Sequence, residues 1–172
     1  GLMAAKSAPS GTQEAAAEII SLLAEKKQTI VTAESCTGGL VAAALTDVPG
    51  ASSAIYGGFI TYANAAKARM IHVQPRLIRD YGAVSNQVAR AMADGARNTA
   101  RADFAVAITG IAGPEGGSEK KPVGLVYVAV SSELATVVIE HRFGDIGRDG
   151  VRQASVKAAL DLVLQVLTSD RD

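Results

Sequence analysis

Two short segments set side chains that could do covalent chemistry in positions suited to it. They are Thr32-Ala33-Glu34-Ser35-Cys36-Thr37-Gly38-Gly39-Leu40 and Tyr62-Ala63-Asn64-Ala65-Ala66-Lys67. The first sets a hydroxyl, a thiol and two glycines between two regular elements. Before it runs the all-β-branched segment Thr29-Ile30-Val31-Thr32, and after it the helix-forming Leu40 to Leu45. A strand-to-helix turn exposes backbone N–H groups at a helix N-terminus, where an anion or a developing oxyanion is stabilised. Ser35 in that setting suits a nucleophile. The same turn also reads as a plain tight connection, with glycines for geometry and Ser35 or Thr37 as N-cap. Cys36 is the rival nucleophile, because a thiol at a helix N-terminus ionises more easily. Its bland alternative is a small buried apolar residue.

Lys67 could act as the base. A lysine amine does so when an apolar, partly buried setting lowers its pKa enough to leave it neutral. Ala63, Ala65, Ala66 and Ala68 supply such a neighbourhood. The alternative is a solvated helix lysine, and sequence separation alone does not bring Lys67 to Ser35.

The remaining candidates are weaker. The loop Thr109-Gly110-Ile111-Ala112-Gly113-Pro114-Glu115-Gly116-Gly117 follows an apolar strand, a place where α/β proteins bind ligands. It lacks the Lys-Ser/Thr ending of a P-loop and the spacing of a dinucleotide fingerprint. It therefore reads either as backbone donors around a polar ligand or as a surface loop. Arg148 and Arg152 lie one helical turn apart and could clamp a phosphate, or form a solvated face. His72 and His141 are too isolated to make a metal pair, and Cys36 is the sole cysteine, so no metal site or disulfide framework is expected.

These side chains need a scaffold, and 172 residues suffice for one domain with a substantial core. Apolar residues at 48% and charged residues at 20% fit a folded globular chain. Lys+Arg and Asp+Glu both number 17, so no net charge draws the chain to nucleic acid or an anionic membrane. No apolar run is long enough to span a bilayer and no signal peptide is evident, which gives the expectation of a cytoplasmic protein without membrane or nucleic-acid partners. Residues 1–10 read as a disordered segment whose Gly1-Leu2 is an expression remnant, and residues 11–172 as a single domain.

Periodicity predicts a helix over 12–26, a buried strand over 29–32, and a helix from Leu40 to a stop at Asp47-Val48-Pro49-Gly50. A second strand is expected over 53–62, with Gly57-Gly58 hinting at a bulge or a close backbone approach. Short helices follow over 63–70 and 75–81, then a longer one over 85–100 capped by Ser85. A strand over 103–109, a hairpin of 123–131 with 134–143, and an amphipathic helix over 148–167 complete the chain. Helices interleaved with doubly apolar strands imply an α/β three-layer sandwich with a mixed, mainly parallel central sheet.

Taken together, Ala33 to Gly39, Tyr62 to Lys67, Gly82-Ala83-Val84-Ser85, Thr109 to Pro114, Lys121-Pro122-Val123-Gly124 and Arg148 with Arg152 resemble the CinA C-terminal domain family. The resemblance runs from about Ala15 to Leu167 in the expected order. Characterised members include nicotinamide-mononucleotide deamidases, so it implies a Ser/Lys amidohydrolase acting on a small-molecule nucleotide without a cofactor. On that carry-over Ser35 is the nucleophile and Lys67 its base, with Tyr62 and Asn64 in support. Substrate would be held by Thr37, Gly38, Gly39, Thr109, Gly110, Arg148 and Arg152. The family commonly has Ser and Glu where this chain has Ala63 and Ala65, and often an acidic residue where it has Asn86. These departures bear on substrate preference more than on the Ser/Lys pair. The resemblance also implies a stand-alone form, leaves room for a homo-oligomer, and carries the alternative of a non-catalytic nucleotide-binding or regulatory domain linked to competence and DNA damage.

Overall fold

A computed structural model describes residues 10–169. Residues 1–9, expected to be disordered, lie outside the described residues; Ser10 already opens the first helix. In chain order the elements are α1 (Ser10–Glu25), β1 (Ile30–Glu34), α2 (Leu40–Thr46), β2 (Ile55–Ile60), α3 (Asn64–Ile71), α4 (Pro75–Tyr81), α5 (Asn86–Ala100), β3 (Phe104–Gly110), β4 (Leu125–Ser132), β5 (Thr136–Arg142) and α6 (Arg148–Ser169).

The five strands form one sheet in the order β2-β1-β3-β4-β5. β1 pairs parallel with both β2 and β3, β4 runs antiparallel to β3, and β5 antiparallel to β4. Only β4 therefore runs against the others, giving the expected mixed, mainly parallel sheet. The hairpin turn falls at Glu133-Leu134-Ala135, slightly later than expected, because Ser132 closes it by accepting from the Leu134 and Ala135 N–H groups. The expected strand start at Ser53 is instead a 3-10 turn over Ala51–Ser53.

Strand pleat divides the core in two. One face carries Ile30, Val106, Ile108, Val126, Val128 and Val130 against the apolar sides of α1, α2 and α6. The other carries Val31, Ala33, Ala105, Ala107 and Ala129, opposite Ala89, Ala93, Ala96 and Ala100 of α5. Small residues on both sides let α5 lie close to the sheet. Ser85 caps α5 as expected, accepting from the Val88 N–H at 3.2 Å.

Two glycines fix close approaches between neighbouring elements. A Cβ on Gly58 would lie 2.3 Å from Thr32 Oγ1, and one on Gly95 of α5 would lie 1.9 Å from the Ile71 carbonyl oxygen at the end of α3. Gly95 thus lets α3 settle against α5 and the sheet. The bulge expected at Gly57-Gly58 falls one residue earlier. Ile30 pairs with Ile55 and Val31 with Gly57, leaving Tyr56 as the extra residue.

The chain leaves β1 through α2 on one face, goes to β2, and returns to β3 through α3, α4 and α5 on the other. The strand order therefore switches at the C-terminal end of β1. In open α/β sheets that is where ligands bind. Ser35 is the first residue beyond it.

Candidate active site

Pleat alternation at the end of β1 sends Glu34 toward α2 and Ser35 toward α3, where Lys67 waits. Each is buried: Glu34 and Lys67 are 1% exposed and Ser35 8%. On α3 the buried residues are Lys67 and Ile71, one turn apart, so one helix face turns inward and carries the amine with it.

Lys67 Nζ lies 3.0 Å from Ser35 Oγ, 2.9 Å from the Thr61 carbonyl oxygen and 3.1 Å from that of Tyr62. The Thr61 N–H donates to the Glu34 carbonyl at 2.8 Å, which pins the end of β2 beside the end of β1 and aims these carbonyls at the amine. Burial holds the Lys67 ammonium below its ordinary range, with an opposing pull from the neighbouring Cys36 sulfur. No carboxylate pairs with Lys67 among the described residues. A neutral amine has two hydrogens, which match the two carbonyls, and one lone pair, which then faces the Ser35 hydroxyl. When protonated, it instead donates to Ser35 Oγ, while the hydroxyl makes a long 3.5 Å contact with the Tyr62 carbonyl oxygen. The arrangement serves both protonation states, as a base that cycles its proton requires.

Glu34 does a different job. Its carboxylate accepts from Thr37 Oγ1 at 2.7 Å and from the Gly39, Val41 and Ala42 N–H groups at 3.2, 2.9 and 2.9 Å. It saturates the N-terminus of α2, the role the sequence assigned to a Ser35 or Thr37 N-cap. The residue at the cap position is Gly39, with φ 111° and no side-chain cap. Gly38, at φ 57°, precedes it; two consecutive positive-φ residues turn the strand into the helix, which is why glycines stand there.

The expected set of backbone donors is accordingly narrower. The Gly39 N–H goes to Glu34 and the Gly38 N–H to the Ser35 carbonyl at 3.0 Å. Among the described residues the Cys36 and Thr37 N–H groups have no hydrogen-bond acceptor outside their own residues. Thr37 is fully buried, so of the two only the Cys36 N–H, on a residue 6% exposed, borders accessible space. The Cys36 side chain is 6% exposed in the core packed by α1, α2 and α6, and burial pushes its thiol up to about 11. A thiol in that state has the surroundings of a core residue.

The other expected residues separate into near and far. Tyr62 supports the amine through its backbone carbonyl, while its phenol is 60% exposed and accepts from Arg148 Nη2 at 3.2 Å. Asn64 is the exposed first residue of α3 and bonds neither Ser35 nor Lys67 among the described residues. Arg148, at the start of α6, also donates to the Gly113 carbonyl at 2.8 Å and ties the 110–117 loop to Tyr62. Arg152 reaches the turn itself, with Nε 3.1 Å from the Cys36 carbonyl oxygen and Nη2 3.4 Å from that of Thr37. The two arginines thus point to different partners instead of forming one clamp. Thr109 is buried and gives its proton to the Ala83 carbonyl at 2.9 Å, so it offers only acceptor capacity. Gly110 leaves room for β4, since a Cβ there would sit 2.6 Å from Val126 Cγ2.

Glu34, Thr61 and Ala83 were missed as functional positions. A carboxylate immediately ahead of a Gly-Gly helix start was a usable signal for Glu34. Thr61 and Ala83 act through carbonyls, which leave no trace in residue type. Among the described residues no His/Cys/Asp/Glu group could hold a metal, and no helix is long and apolar enough to cross a membrane.

Comparison with known proteins gives one consistent result. The profile of the CinA C-terminal domain matches residues 12–167. A CinA-like protein of Acidobacterium capsulatum is 51% identical over 135 residues, 78% of this chain and 32% of that one. A CinA-like protein of Geobacter sulfurreducens is 50% identical over 140 residues, 81% of this chain and 34% of that one. The chain thus spans about a third of the length of these curated relatives. Among solved structures, a competence/damage inducible protein from Agrobacterium tumefaciens superposes with TM-score 0.90 at 46% identity, covering 93% of this chain and 97% of that one. A CinA superfamily protein from Escherichia coli gives TM-score 0.87 at 32% identity, covering 94% of each.

Proposed function

Because the chain belongs to the CinA C-terminal domain family, we propose that it is an amidohydrolase that converts nicotinamide mononucleotide to nicotinate mononucleotide and ammonia with a Ser35/Lys67 pair. The observation that carries this reading is a buried amine 3.0 Å from a serine hydroxyl. Two carbonyls hold that amine, and burial lowers its pKa.

Neutral Lys67 takes the Ser35 proton as Oγ bonds to the carboxamide carbon. The carbonyl oxygen becomes an oxyanion beside the Cys36 N–H; loss of such a donor costs about 3–4 kcal/mol of barrier in other hydrolases. The tetrahedral adduct collapses, the C–N bond breaks, and Lys67 returns its proton to the departing nitrogen, giving ammonia and an acyl-Ser35 ester. Water then attacks the ester, Lys67 accepts its proton, and the acid leaves as Ser35 recovers that proton. Arg148 retains unused guanidinium donors at an exposed position beside Tyr62 and suits the substrate phosphate.

The test is ammonia release from nicotinamide mononucleotide by the purified chain and its Ser35→Ala and Lys67→Ala variants. Release by the parent that both substitutions abolish supports the reading. Release that survives Ser35→Ala would overturn the mechanism. No release from this or other small carboxamides would favour a non-catalytic, regulatory domain.

A further inference from the structure

We infer that two copies of this chain meet along β2, edge to edge and antiparallel about a two-fold axis; the inference does not depend on what the Ser35/Lys67 site catalyses. The sheet ends in β2 on one side and β5 on the other, and each of these strands pairs on one side only. The outer N–H and carbonyl groups of an end strand are a template for another strand, and folded chains protect them with charge, proline or a cover. β5 has that protection, since the exposed and charged Glu140 and Arg142 stand on it. β2 has none of it. From Val48 to Ala66 no residue carries a charge, and no proline falls within the strand. The bulge at Tyr56 lies at its start, so its pairing with β1 runs without a further shift from Gly57 to Ile60.

The large side chains along this edge are apolar and uncovered. Tyr56, Ile60 and Tyr62 are 60, 55 and 60% exposed. Side chains of this size carry about 200 Å² each, so the strand and its continuation leave on the order of 350 Å² facing solvent. A patch of that size marks an interaction surface. It is also close to half of the roughly 800 Å² that one partner buries in a standard interface. Hydrogen bonds between strand edges add to it, and Gly57 and Gly58 have no side chains to hold a partner strand away. A second copy fits because a two-fold pairing sets this uncharged edge against itself. The exposed charges nearest to β2 in sequence are Asp47 before it and Arg69 after it. Antiparallel pairing turns the end that Asp47 precedes toward the end that Arg69 follows, which sets opposite signs together. The partner's β2 then begins beside Tyr62, whose carbonyl accepts from Lys67 Nζ, so the interface borders the site.

The experiment is sedimentation equilibrium of the parent chain, of Ile60→Lys and Tyr56→Lys on β2, and of Ile139→Lys on β5, from about 1 to about 200 µM. The parent should show a reversible monomer–dimer equilibrium within that range. Either β2 variant should raise the dissociation constant about 100-fold or more, since it sets like charges across the two-fold axis. Ile139→Lys should change it by less than about threefold. Hydrogen exchange supplies a readout of the edge itself. Amides of residues 57–62 should exchange more slowly at the high concentration than at the low one, while those of residues 136–142 exchange alike at both. Each lysine replaces an exposed side chain, and a parent-like urea midpoint at the low concentration identifies a folded variant. Tyr56→Lys gives the same comparison if Ile60→Lys does not fold. A parent that stays monomeric throughout overturns the inference. So does a dimer that both β2 variants leave intact, or one that Ile139→Lys dissociates.

Discussion

Glu34 and Ser35 are neighbours in the chain, yet the two buried charged groups they organise, the Glu34 carboxylate and the Lys67 amine, are treated in opposite ways. The carboxylate meets four donors, three of them backbone N–H groups at the start of α2. That environment suits its charge. The amine meets two carbonyls and one hydroxyl, with no carboxylate against it, and burial works against its charge. The lesson is that burial of an ionisable group does not mark chemistry; the match between the group's charge and its partners does. A matched group builds the turn, and a mismatched one is free to trade its proton.

The comparison breaks most visibly at Lys67. Lys67→Met should lower kcat for amide hydrolysis by on the order of a thousandfold, the range expected when a general base is lost. Folding stability should move little, within about 1 kcal/mol at neutral pH, because removing a buried ammonium offsets the loss of its hydrogen bonds. Ammonia release and urea unfolding on one preparation measure both. A variant that unfolds while its specific activity per folded molecule persists would make Lys67 a structural residue.

Glu34→Leu should do the reverse. It strands the buried Val41 N–H and removes the acceptor from Gly39, Ala42 and Thr37. Water can reach some of these donors, so the expected loss is about 2–4 kcal/mol of unfolding free energy. Urea denaturation should show the midpoint falling without a comparable change in slope. Glu34→Gln, which keeps an acceptor oxygen, should lose less. Equal stability in the Leu variant would remove the contrast between the two groups.

How far this contrast is legible in sequence depends on which atoms carry it. Ser35 and Lys67 stand out because a hydroxyl between strand and helix and a lysine among alanines are residue-type signals. The layered sheet follows from the apolar runs of β1 and β3 and from the 3.6-residue spacing of α1 and α5. By contrast α6, expected to be amphipathic, mixes apolar and polar residues around its whole circumference and buries Ser155 and Ala159 where Ala154 and Ala158 were expected. What brings Ser35 to Lys67 is tertiary: parallel pairing of β1 with β2, and Gly95 admitting α3 against α5. The carbonyls of Thr61 and Tyr62 have no signature, because every residue has one. Arg152 was singled out by type, but an arginine that serves a backbone carbonyl and one that serves a phosphate read alike until the partner is placed. Asn64 carried no signal of its own and came only with the resemblance.

A smaller effect sharpens the comparison through pH. Lys67 must be neutral to accept a proton, so kcat should rise about tenfold per pH unit and level off at a midpoint below the ordinary lysine value of 10.5. The stability consequence has a definite sign. Between the lowered folded pKa and 10.5 the unfolded chain binds more protons at this site, so unfolding free energy rises with pH through that window. Below the window the penalty is constant, and above it the penalty is gone. Other groups titrate nearby, so the difference between the parent and Lys67→Met is the quantity to measure. A flat difference curve from pH 6 to 10.5 would mean that the amine keeps an ordinary pKa.

The smallest effect is expected at Cys36, whose side chain sits on the well-matched side of the turn although it follows Ser35, the proposed nucleophile. Its thiol is pushed up to about 11 by burial, so at pH 8 thiolate is about one part in a thousand. Cys36→Ala keeps the peptide N–H and removes only the sulfur, so kcat should stay within about threefold. Thiol-specific reagents should modify the folded parent far more slowly at pH 8 than the urea-unfolded chain, with activity declining no faster than modification. Should Cys36→Ala lose activity while Ser35→Ala retains it, the nucleophile would be the sulfur, and the inward-facing thiol would have to turn out of the core to reach a substrate. The 3.0 Å approach of the amine to Ser35 Oγ argues for the other outcome.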